Sequence, residues 1–191
     1  EWHMHVDSDV ILCKDWFSRA SRLTIDDVGA IWGVAIPIER HTFNIVYAMS
    51  KFYRLSIRDV LVKQMRSERC MMHDTLVRTE AVKDIRIPRE LHIWEDEYIG
   101  RYIINKGYRF LKTKNPYCLH NLHPRRSFDD VILNGYLMRK YGIWGFKAVM
   151  LRFMLAIPKS AWIYAITRDF QASKRQFLTY ILTAKGWMSY S

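Results

Sequence analysis

Apolar and polar residues alternate from the start of the chain. Trp2, Met4 and Val6 take turns with His3, His5 and Asp7, the two-residue period of a strand. Asp7-Ser8-Asp9 interrupts the alternation and Val10-Ile11-Leu12 resumes it. Trp16, Phe17 and Ala20 stand at helical spacing and predict a short helix over 14–22. Residues 29–37 are an apolar run bracketed by Gly and Pro, read as a strand. Helices are expected over 42–53 and 57–67, the second capped by Ser56 with Val60, Leu61 and Met65 on one face. A strand over 70–78 and a helical turn over 80–85 follow. Tyr98, Ile99, Tyr102 and Ile103 share a face of a helix over 95–106, which stops at Gly107. Residues 108–111 and 117–120 read as two short strands. Short strands alternating with helices predict an α/β fold.

From 127 onward the pattern becomes helical and apolar. Ser127 caps a helix reaching about Tyr141, with Asp129 and Asp130 in its first turn, where the helix dipole favours acids. Gly142 and Gly145 break it. Apolar stretches at 146–157, 161–167 and 176–184 follow, punctuated by Lys147, Arg152, Lys159 and Arg168. On one continuous helical wheel Lys140, Lys147, Arg152 and Lys159 form a basic stripe beside apolar residues, as on an interfacial membrane helix. No stretch reaches the roughly 18 uninterrupted apolar residues of a spanning helix. The expected division is therefore 1–126, an α/β part, and 127–191, a basic, apolar helical tail associated with a membrane.

Charge sharpens that division. Residues 1–100 carry 14 basic and 16 acidic side chains, a net of −2; residues 101–191 carry 16 and 3, a net of +13. A hydrophobic share of 50% excludes intrinsic disorder. The basic half calls for an anionic partner: nucleic acid, a phosphorylated substrate or a membrane surface. The basic residues are interleaved with apolar stretches rather than gathered on a polar face, which favours the membrane and disfavours nucleic acid. Cys13, Cys70 and Cys118 are far apart and form no CxxC pair, so neither a zinc knuckle nor a disulfide framework is expected.

Three constellations could carry chemistry. Asp7 and Asp9, alternate residues at a strand end, can offer two carboxylates to one hard divalent cation. Glu95, Asp96 and Glu97 open a helix behind Trp94, where a carboxylate can act as general base against an aromatic wall. His120 and His123 precede Arg125 and Arg126: one imidazole could complete a metal site and the arginine pair could grip a diphosphate.

The order of these pieces resembles glycosyltransferase family 2, the inverting enzymes of the GT-A fold. The segment from His5 to Leu12 is similar to that family's metal-binding strand and turn. The run from Glu95 to Gly100, followed by Asn105-Lys106-Gly107-Tyr108-Arg109, is similar to its acceptor-side segment. The resemblance implies the C-terminal part of a GT-A, Rossmann-like domain, followed by amphipathic and apolar helices. It implies a divalent cation, Mg²⁺ or Mn²⁺, held by Asp7 and Asp9 with His120 or His123. Asp96 would be the catalytic base with Glu95 beside it; by charge rather than by motif, Arg125 and Arg126 would contact the diphosphate, with Trp94 beside the substrate. The partners expected are a nucleotide-sugar donor and a lipid-linked or polysaccharide acceptor. The location expected is the cytoplasmic face of a membrane. The parallel strands that hold the nucleotide normally precede the Asp-x-Asp turn. The expectation is therefore a fragment, inactive alone and completed by a separate chain or segment. The alternative is a basic module that binds nucleic acid or a membrane surface without catalysis.

Overall fold

A computed structural model of the chain describes residues 1–67, 70–89, 91, 94–121 and 127–189. They form two compact units. The first takes in Glu1–Ile38 and the described residues of 55–122; the second takes in Glu39–Arg54 and the described residues from 127 onward.

The first unit is a mixed α/β layer structure. Its strands are β1 (Trp2–Val6), β2 (Val10–Leu12), β3 (Val28–Pro37), β4 (Asp74–Arg78) and β5 (Arg109–His120). They form one sheet in the order β1-β4-β3-β5-β2. β4 runs antiparallel to both β1 and β3, β3 runs parallel to β5, and β2 runs antiparallel to β5. The helices of this unit are α1 (Trp16–Ser21), α3 (Ile57–Ser67), α4 (Thr79–Val82) and α5 (Glu95–Asn105).

β3 is buried nearly throughout, as a strand covered on both faces must be. Ala30 packs with Val77, Ala81 and Ile103. Val28 and Ile31 pack with Trp16 and Ala20 of α1. Two residues of one side and one of the other within four positions require an irregularity, and the β3–β5 register shifts between Val28 and Ala30. The two strands expected at 108–111 and 117–120 are one strand, β5. Its pairing with β3 skips from Thr113 to Tyr117, so Pro116 falls in the irregularity rather than between two strands. β4 begins at Asp74, later than the expected 70.

The caps expected from sequence are present. Ser56 Oγ accepts the Asp59 amide at 3.2 Å, and Val60, Leu61 and Met65 are buried. Gly107 adopts φ 89°, the left-handed conformation that ends α5.

The second unit comprises α2 (Arg40–Tyr53), α6 (Phe128–Lys140), α7 (Phe146–Met154), α8 (Ala156–Thr167) and α9 (Phe170–Met188). α2 belongs with these helices and not with the sheet, so a division at 126/127 alone does not describe the chain. Two reciprocal caps explain it. Glu39, the N-cap of α2, accepts the His41 and Thr42 amides and an Arg175 guanidinium N–H from α9 at 2.5 Å. Asp169, the N-cap of α9, accepts the Ala172 amide at 3.0 Å and bonds Asn44 and His41 of α2, each at 2.8 Å. α6 and α9 meet at their small residues: a Cβ on Gly186 would stand 1.8 Å from the Ile132 carbonyl oxygen.

The single basic stripe does not exist. Lys140 ends α6, Lys147 and Arg152 lie on α7, and Lys159 lies on α8. The break between α7 and α8 falls at Leu155 and bends the axis by 46°. Pro158 lies in the first turn of α8, where a missing amide hydrogen costs no helical bond. α9 begins earlier than the expected 176 because Asp169 caps it at Phe170.

Candidate metal-binding site

The sheet topology gathers the C-terminal ends of β1, β3 and β5 with the beginnings of β4 and β2. Val6 pairs with Asp74, Pro37 with His120, and Val10 with His120. The Asp7–Asp9 turn therefore sits beside the first residues of β4 and, through β2, the last residue of β5. Backbone bonds fix it there. The Asp7 amide donates to the His73 carbonyl at 3.1 Å, the Val10 amide to the Asp7 carbonyl at 3.2 Å, and the Asn121 amide to the Asp9 carbonyl at 2.9 Å.

The result is a convergence of three side chains. One ligand atom each from Asp7, Asp9 and His120 lies within 4.8 Å of the others, with Asp7 exposed, Asp9 half-buried and His120 buried. His120 Nε2 stands 3.4 Å from Asp9 Oδ1. Burial, with His73 alongside, lowers the pKa of His120 against the opposing pull of Asp9 and Asp7. That favours the neutral imidazole, the form with a lone pair for a cation. Two carboxylates and an imidazole open to solvent on one side are a donor set that fits Mn²⁺ or Mg²⁺.

Beneath these residues lies a group that the sequence reading missed. His73, Asp74 and Cys118 are all buried, with ligand atoms within 4.8 Å of one another. Hydrogen bonds already satisfy the carboxylate. His73 Nδ1 lies 2.9 Å from Asp74 Oδ1, and the Trp16 indole N–H donates to Asp74 Oδ2 at 3.2 Å. Burial raises the pKa of Asp74, while His73 and Trp16 pull it back. Burial raises the thiol pKa of Cys118 too, with the Asp74 charge adding to it, so the sulfur keeps its proton. The set reads as a hydrogen-bonded frame. It touches the outer site at two places: the His73 carbonyl holds the Asp7 amide, and the His73 and His120 rings stand 5.0 Å apart. The one sequence signal was a His-Asp pair opening an apolar strand, and its meaning depends on Trp16, 58 positions away.

α5 carries the acidic cluster in its first turn. Its later residue Ile103 packs over Gly29 at the start of β3, and Gly100 packs against Cys70. Glu97 accepts the Cys70 amide at 2.9 Å and the Arg101 guanidinium at 2.8 Å, and so anchors the segment leading into His73. Asp96 is half-buried beside it; burial pushes the Cys70 thiol up to about 11, with Lys112 opposing and the Glu97 and Asp96 charges adding. Glu95 places Oε2 in a buried position without a hydrogen-bond partner among the described residues. Trp94 is 4% exposed, so the aromatic wall of the sequence reading belongs to the interior. His123, Arg125 and Arg126 lie outside the described residues.

Comparison of the chain with protein-family models and with curated proteins gave no match.

Proposed function

We propose that the chain is the metal-binding and acceptor-side part of an inverting glycosyltransferase of the GT-A type. The observation that carries this is the convergence of Asp7, Asp9 and His120 within 4.8 Å, from a turn and a strand end more than a hundred residues apart in sequence. The acidic first turn of α5, with Asp96 part-exposed in it, supports the reading.

Asp7, Asp9 and His120 would hold Mn²⁺ or Mg²⁺. A bound cation supplies charge neutralisation for a departing nucleoside diphosphate. Asp96 stands half-exposed in the first turn of α5, where it can accept the proton of an acceptor hydroxyl as that oxygen attacks the anomeric carbon. Attack opposite the leaving group inverts the anomeric centre. Glu97, held by Cys70 and Arg101, fixes the backbone that presents Asp96. A nucleotide-sugar is the donor, and a lipid-linked or polysaccharide hydroxyl the acceptor.

Mn²⁺ titration of the whole chain, read by the loss of the free-ion paramagnetic resonance signal, tests the reading. One ion should bind per chain. Asp9→Asn and His120→Gln should each weaken binding by at least about tenfold, while Asp96→Asn should leave it intact. Wild-type binding no tighter than that of Asp9→Asn would refute the metal site.

A further inference from the structure

The bend between α7 and α8 leaves a run of large apolar side chains exposed. Leu151 is 58% exposed, Met154 74% and Ile157 71%, and Phe153 and Leu155 are exposed as well. Five exposed apolar residues within seven consecutive positions form a patch that monomeric soluble proteins rarely leave in water. The helices behind it are anchored: Val149 and Ala156, on either side of the bend, are buried. The corner is therefore a fixed projection.

Charge identifies the occupant. After Asp130 the sequence has one acid, Asp169, against nine Lys and Arg. Asp169 is buried and bonded to His41, Asn44 and the Ala172 amide, so it neutralises nothing outside. Arg139, Lys140, Lys147, Arg168 and Lys174 are exposed. An apolar corner on a helical unit whose exposed charges are mainly basic fits an anionic lipid bilayer: the corner enters the acyl region and the cations meet the phosphates. No described helix is long and apolar enough to cross a membrane alone. α7 and α8 together would be, but they are bent by 46°. At about 1.5 Å per residue, 9 and 12 residues reach roughly 14 and 18 Å, short of the roughly 30 Å hydrocarbon core.

We propose that the α7–α8 corner inserts into one leaflet of an anionic membrane and holds the protein at its surface. This stands apart from the metal-site reading and is testable without it. The chain is mixed with phosphatidylcholine vesicles, with and without phosphatidylglycerol, and sedimented. Wild-type protein should partition onto the anionic vesicles, more weakly as salt rises. Met154→Asp and Ile157→Asp should each reduce the partition coefficient by at least about tenfold, since burying one such side chain is worth at least that factor. Both residues are exposed, so the variants should keep the wild-type circular dichroism and melting profile. Ile25→Asp, at a residue 52% exposed in the first unit, should bind as wild type does. Undiminished binding by the Asp variants overturns the proposal. So does equal binding to neutral vesicles, alkaline-resistant integration of the kind a spanning segment gives, or binding to RNA with none to vesicles.

Discussion

Gly33→Ala tests the frame beneath the candidate site through a single methyl group. A Cβ at position 33 would stand 2.3 Å from Asp74 Oδ2, with the Trp16 indole nitrogen and the Pro116 carbonyl oxygen each at 3.1 Å. Ordinary contact needs about 3.5 Å, so the carboxylate must withdraw by about 1 Å. Its bonds to His73, 2.9 Å, and from Trp16, 3.2 Å, cannot both survive that displacement. A buried hydrogen bond to a charged acceptor is worth about 1.5–3 kcal/mol, and overpacking adds to its loss. The expected cost is about 2–4 kcal/mol, a large fraction of the roughly 5–15 kcal/mol that holds a domain folded. Urea unfolding followed by circular dichroism measures it. A double-mutant cycle isolates the cause: in an Asp74→Ala background the methyl has room, and Gly33→Ala should cost less by at least about 1.5 kcal/mol. Because His73 touches both the Asp7 amide and the His120 ring, Gly33→Ala should also weaken Mn²⁺ binding by about 10–100-fold. An equal cost in both backgrounds, or a cost below about 1 kcal/mol in the wild type, would refute the reasoning.

Two further outcomes follow from the helical unit. Burial works against ionisation of Glu39, but hydrogen bonds from Thr42, Arg175 and the His41 amide carry its pKa down from 4.5 to about 2. A folded value below the unfolded one means stability that is full above the ordinary value and lost as pH falls toward the folded one. Thermal melts of the wild type should therefore lose about 1–3 kcal/mol between about pH 5 and pH 2, and Glu39→Gln should flatten that limb. Gly186→Ala places a Cβ 1.8 Å from a backbone oxygen of α6, which cannot rotate aside as a side chain would. It should lower the melting temperature more than Ala184→Ser does at a neighbouring buried position, and equal effects would contradict the close crossing of α6 and α9.

What the sequence disclosed was local. The period-2 run of β1, the Ser56 and Ser127 caps, the stop at Gly107 and the acidic first turn of α5 depend on neighbours within four positions, and all are present. The capping box at Ser127 and Asp130 closes in both directions, at 3.1 and 3.0 Å. The convergence of Asp7 and Asp9 with His120 is a consequence of sheet order; the residue types suggested a shared cation, and the family resemblance joined the two segments, but neither separated His120 from His123. The His73–Asp74 frame was illegible, because its logic needs Trp16 to donate, Gly33 to leave room and β1 to lie alongside. The placement of α2 was illegible for the same kind of reason. His41 meets Asp169 across 128 positions and Glu39 meets Arg175 across 136. The basic stripe failed because one helical wheel was drawn through residues that three helices carry.

The charge asymmetry can now be traced to particular residues. Every acid in 101–191 sits at the start of a helix: Asp129 and Asp130 in the first turn of α6, and Asp169 capping α9. Carboxylates in those positions offset the unpaired amides and the positive end of the helix dipole. Asp169 is committed further, to His41 and Asn44. The acids of this region are thus used where helices begin, and few are left to balance the lysines and arginines on the helix surfaces. Scattering the same bases among acids at helical spacing would have given a neutral, salt-bridged surface with equal helix content. The net of +13 is therefore not required by the fold. It is a property of the surface, and in the helical unit it accompanies a corner whose large apolar side chains stand in water.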